Sequence, residues 1–191
     1  MIKECFKNRD FRVIWGAGGM TGIARAMEFL ALSLYALQEL GLPYLVTIIF
    51  AARMLPMSLL GIIIGTISER ISPLLLIKII YSLSNIFTAT SVILVITNNF
   101  NIYFAFTLAF INGITWVVDL AVRRRVLAEN IKKNLLSSSL AMETLSNNAT
   151  RLIGPLCAGS LYAFVGLSGI FCLQLLMYIF ALGLIFKFKD K

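Results

Sequence analysis

Histidine is absent from the 191 residues, cysteine occurs three times, and charged side chains make up only 14%. Each scarcity excludes a class. Without histidine there is no imidazole base for a serine or cysteine nucleophile, and no H-E-x-x-H metal site. Cys5, Cys157 and Cys172 are too few for a disulfide-stapled secreted module, and none has a partner at metal-ligand spacing. No G-x-x-x-x-G-K-[ST] loop is present to cradle a nucleotide. No catalytic residue, metal or cofactor is therefore expected, and the chain does not read as an enzyme.

What the sequence has is apolar bulk. Hydrophobic residues reach 59% and the mean hydropathy is +0.89. A soluble globule of this size lacks the interior to hide them. The fold class expected is all-α, a polytopic membrane protein. Six spans of about 20 to 25 residues fit the length. They read as about 11–37, 43–65, 74–97, 102–122, 136–165 and 169–186, a single bundle over 1–191. The charged opening, MIKECFKNRD, lacks the pattern of a signal peptide.

Net charge is +8, from 17 basic and 9 acidic residues. Fourteen of those 17 fall before or at the start of span 1, around the second and fourth connections, or after span 6. The other three connections carry none. This asymmetry is a topology signal that puts both termini in the cytoplasm, so the Arg123–Arg125 run reads as an orientation signal and no nucleic-acid partner is expected. The remaining three, Arg25, Arg53 and Arg151, lie inside spans, as do Glu28, Asp119 and Glu143. A charge at a helix centre costs about 2.5 to 3.5 kcal/mol even on the lenient insertion scale. Three positive against three negative charges should therefore face a shared polar interior. Spans 1, 2, 4 and 5 are expected to surround it, with spans 3 and 6 facing lipid. Arg25 and Glu28 share a face at i, i+3. Arg25, Glu28, Arg53 and Arg151 form the expected midplane site for substrate or protons, with Asn112, Trp116 and Tyr35 as further polar or aromatic contacts. Asp119 reads as a structural partner of Arg70 or of the Arg123–Arg125 run. The glycines of span 1 (Gly16, Gly18, Gly19 and Gly22) read as points of close helix approach.

Two segments echo each other. Arg53, Pro56 and Gly61 lie in RMLPMSLLG, and Arg151, Pro155 and Gly159 in RLIGPLCAG. They fall on spans 2 and 5, the equivalent pair of a three-plus-three inverted repeat. Pro155 beside Gly154 reads as a hinge in span 5.

At these residues the chain resembles the major facilitator superfamily, in particular bacterial exporters of the drug and siderophore type. NRDFRVIWGAGGMTG resembles the family's first helix. Gly65-Thr-Ile-Ser-Glu69-Arg70 resembles the loop signature after the second helix, G-x-x-x-D-R-x-G-R-R, with Glu69, Ser72 and Pro73 as departures from it. Arg151-Leu-Ile-Gly154-Pro155-Leu-Cys-Ala-Gly159 resembles the fifth-helix antiporter signature. The resemblance implies an alternating-access transporter in a bacterial cytoplasmic (inner) membrane, exporting small amphipathic compounds in a proton-coupled antiport. It gives Gly65, Glu69, Arg70 and Asp119 gating roles, and Gly154, Pro155 and Gly159 the antiporter signature. Glu28 would be the protonatable carboxylate. The family has two such halves, so the chain is expected to be one half, as a fragment, a split gene product or a dimerising protomer. The partners expected are lipid, substrate, protons and a second six-helix half. The alternative is a six-span component of another transporter, or a non-transporting membrane partner. Gly166-Leu-Ser168-Gly169 also matches the G-x-S-G of rhomboid proteases, but with no histidine base it reads as a turn.

Overall fold

A computed structural model describes residues 2–131 and 133–187, with side chains for all of these except 2, 3, 60, 62–70, 133 and 134. Every described element is helical. The helices are α1 (Ile2–Lys7), α2 (Arg9–Leu34, continued by a π turn, Tyr35–Glu39), α3 (Tyr44–Arg70), α4 (Pro73–Ile96) and α5 (Ile102–Asn130). A final run, Lys133–Phe186, is broken at Gly166. We label its limbs α6 (133–165) and α7 (167–186). Spans 1 to 6 of the sequence reading correspond to α2 to α7.

Local chemistry sets the boundaries. Asn8 and Asn101 cap α2 and α5, their side-chain oxygens accepting from the amides of Asp10 and Phe104, each at 2.9 Å. Pro73 opens α4, where no helix amide is needed. Asn98 closes it in the left-handed region that asparagine tolerates (φ 55°). Gly166, at φ 61° and ψ −166°, takes a conformation that a side chain would resist. Pro155 lies within a continuous helical stretch, and Gly166 is the non-helical position of the whole run.

Four described helices are long and apolar enough to cross a membrane: Arg9–Glu39, Pro73–Ile96, Ile102–Asn130 and Leu135–Phe186. Tyr44–Leu59 is a shorter apolar helix. The 52 residues of Leu135–Phe186 would be about 78 Å long if straight. A bilayer core is about 30 Å thick. Contacts show that the run turns back. On α6, Ser146, Thr150, Gly154 and Gly159 meet Gly19, Gly22, Ala26 and Leu30 in rising order. On α7, Gln174 meets Glu28 and Leu184 meets Gly16, in falling order. The two limbs thus run in opposite directions along α2. Similar pairings (Arg53 with Arg25 and Phe50 with Phe29; Asp119 with Arg25 and Asn112 with Glu28; Ile71 with Arg125 and Tyr81 with Asp119) make α3 and α5 antiparallel to α2 and α4 parallel to it.

Two apolar clusters close the ends of the bundle. One joins Cys5, Phe11, Ile14, Ile77, Val122 and Ile185, and the other Met27, Leu32, Ile49, Leu108, Ile170 and Phe171. A polar layer lies between them. The outside is apolar: Ile86, Ile93, Leu176, Phe180 and Phe164 (86% accessible) face away from the core. Large apolar side chains turned outward suit hydrocarbon rather than water. The chain is a polytopic all-α membrane protein.

Candidate functional site

The polar layer has two compartments. The first is a closed knot around Asp119, a residue with no accessible surface. One Asp119 oxygen takes the Arg25 guanidinium at 2.5 Å. The other takes Arg123 Nε at 3.0 Å and the Tyr81 hydroxyl at 2.9 Å. Arg123 continues to Glu143 at 3.6 Å, and Arg124 approaches Glu143 from the edge at 3.8 Å. Thr21 accepts a further bond from Arg25 at 3.2 Å. Arg123 reaches this position because α2 offers it Gly18: a Cβ there would overlap the guanidinium.

The second compartment lies further along α2. Glu28 is buried, with 1% of its surface accessible. Asn112 and Gln174 donate side-chain amides to one of its oxygens, Gln174 at 2.6 Å. Tyr178 and Thr115 hydroxyls donate to the Asn112 carbonyl, each at 3.4 Å. The other Glu28 oxygen has no partner, and among the described residues no cation lies within ion-pair distance of this carboxyl.

Beside these groups opens a cavity of about 260 Å³ between α2, α3, α5 and α6. Arg53 and Arg151 face it across the Trp116 ring, with guanidinium-to-centroid distances of 5.6 and 4.8 Å. Phe29 lies 5.4 Å from Arg53 and packs against Phe50, which also lines the cavity. Arg53 donates to the Arg25 backbone carbonyl at 3.0 Å. A Cβ at Gly113 would strike the Arg53 carbonyl, and one at Gly154 would strike Ala26, so both glycines set helix spacing around the cavity. A smaller cavity of about 230 Å³ shares Trp116 and Arg151 with it and extends to Arg124.

These positions revise several expectations. Arg25 and Glu28 share a helix face, yet they do not pair: one turns to Asp119 and the other to neutral amides. Arg123, expected in a cytoplasmic loop, is buried on α5, so the inner charges are no longer balanced. Asp119 does meet the basic run through Arg123, and it also holds Arg25, a partner not anticipated. Asn112 supports Glu28 rather than lining the cavity. Tyr35 packs on Phe100 and bonds its carbonyl at 3.1 Å, in the apolar cluster. The α4 and α7 helices face outward, but they also send Tyr81, Gln174 and Tyr178 into the polar layer. Of the two signatures, Pro155 lines the cavity, Gly154 abuts α2 and Gly159 lies in ordinary contact with Leu30. Gly65, Glu69 and Arg70 fall among the residues whose side chains lie outside the description.

The arrangement has charges locked together on one side and a cation-lined hollow on the other. A family model described as transmembrane secretion effector, of the major facilitator type, matches residues 4–191. The chain belongs to that family. It is accordingly a membrane transporter or secretion effector, of a superfamily that is generally non-enzymatic. Comparison with curated proteins gives no match.

Proposed function

We propose that this transmembrane secretion effector is a six-span half of an alternating-access secondary transporter that moves small amphipathic compounds outward in a proton-coupled cycle. The observation that carries the reading is the cavity flanked by Arg53, Arg151 and Trp116, with the buried carboxyl of Glu28 behind it. An apolar wall with a few convergent polar groups is the usual form of a small-molecule site. The six legs of alternating direction support two inverted three-helix repeats, α2–α4 and α5–α7. The echoed arginines, Arg53 on α3 and Arg151 on α6, approach the same indole ring, as paired repeat positions would.

Glu28 is the proton-binding group in this reading. It is enclosed by neutral amides, and one oxygen is free to take a proton. A second six-helix half, as another chain or a second copy, closes the cavity from the side where Leu152 and Leu156 are exposed. The membrane is the bacterial cytoplasmic membrane, with both ends of the chain inside the cell, in line with the positions of the basic residues.

The test is uptake of an amphipathic fluorophore into inverted vesicles carrying the chain and its second half. The expected result is uptake driven by an imposed pH gradient, lost in Glu28→Gln and retained in Ile93→Ala on the lipid-facing side of α4. Uptake with the same pH response in Glu28→Gln would remove Glu28 from the mechanism.

A further inference from the structure

Among the described residues, the inner charges of this bundle fall short by one anion. Four guanidiniums (Arg25, Arg53, Arg123 and Arg151) are either buried or turned to the cavity, against three carboxylates, Glu28, Asp119 and Glu143. The deficit is not spread evenly. Arg25 and Arg123 are bonded to Asp119, and Glu143 supports Arg123. Among the described residues, no carboxylate lies within ion-pair distance of Arg53 or Arg151. These two repel each other electrostatically, and Glu28 acts on Arg53 only through space. An aromatic face is what they share. It offers a cation attraction without neutralising the charge.

We infer that the cavity takes an organic anion: a compound with a carboxylate or similar group, held between Arg53 and Arg151, and an apolar or aromatic body lying against Phe29 and Phe50. The inference rests on the transporter reading of the site but not on its direction or coupling ion. Guanidinium donors suit a planar anionic group, and two of them facing a hollow can bind it from both sides. Arg53, the less exposed of the two, sits against Phe29 and Trp116, where a lower local dielectric strengthens that attraction. A cationic amphipath meets two like charges there and no free counter-charge. The second cavity carries the same sign outward, from Arg151 to Arg124.

The test uses the full chain in phosphatidylcholine nanodiscs. Trp116 is one of two tryptophans, so Trp15→Phe leaves it as the reporter. The probes are 4-phenylbutyrate, 4-phenylbutanamide and 4-phenylbutylammonium, read by Trp116 fluorescence. The carboxylate should bind at least about tenfold tighter than the amide, the ratio expected of one charge-assisted hydrogen bond. Arg151→Gln and Arg53→Gln should each remove the preference by weakening the carboxylate far more than the amide, whereas Arg151→Lys should keep part of it. An ammonium probe that binds as tightly as the carboxylate would overturn the inference, as would a carboxylate preference that survives both glutamine variants. Displacement of 4-phenylbutyrate by phosphatidylglycerol discs would also overturn it and assign the arginines to a lipid headgroup. The transporter reading fails separately: carboxylate binding with no vesicle uptake sinks that reading and leaves this one standing.

Discussion

Asp119 and Trp116 stand on the same helix one turn apart, and their surroundings are opposites. Around Asp119 every oxygen is taken, by Arg25, Arg123 and Tyr81, with no accessible surface left. Around Trp116, two arginines have no acidic partner among the described residues and face a hollow. Both regions place guanidiniums inside a bundle, where isolated charge is expensive. The knot offsets that cost within the protein. The cavity leaves it unmet, and an unmet charge is available to something that comes and goes. On the proposed reading, this difference is what separates structural from functional charge, where depth and residue type do not.

The strongest way to break the comparison is at the knot. Asp119→Ala leaves Arg25 and Arg123 buried without their main anion. Removing one partner of a buried pair typically costs about 3 to 5 kcal/mol. SDS titration of the folded fraction should show a loss of that size, and a loss under about 1 kcal/mol would make the knot ornamental. Next comes the steric support. Gly18→Leu displaces the Arg123 guanidinium and should cost about 1 to 3 kcal/mol in the same titration, as overpacking does. Arg123→Met in that background should recover part of it.

At Glu28 the effects on stability shrink and those on function grow. Gln174→Leu removes a buried donor from the carboxyl and should cost about 1 to 3 kcal/mol. It should also shift the pH at which uptake responds, a readout that a packing role would not move. The smallest stability change is expected at the cavity wall. Arg151→Gln alters an exposed side chain with no hydrogen bond among those described, so folding should change by no more than about 0.5 kcal/mol. Carboxylate binding should fall all the same.

Much of this was legible in the sequence. The all-helical membrane class, the turn at Gly166–Ser168 and the cavity helices α2, α3, α5 and α6 follow from hydropathy and from where the inner charges fall. The pairing was not legible. Arg25 and Glu28 share a face at i, i+3, but spacing along one helix says nothing of what the neighbouring helices offer, and each found a better partner across the bundle. Arg123 was hidden by its company: within a run of three arginines the inward one looks like the others. Its signal was Gly18, which counted only as a site of helix approach. Gln174 could have been found, as the one amide in an otherwise apolar last span, where a buried polar group needs a partner.

The most direct measurement sets Asp119→Asn beside Arg151→Gln, in identical micelles and at one pH, and compares their unfolding free energies by SDS titration. The account predicts a gap of at least about 2 kcal/mol, with Asp119→Asn the damaged variant and Arg151→Gln close to the parent. Equal losses, or the larger loss at Arg151, would mean that the cavity arginines hold the fold together and that the division between met and unmet charge is false.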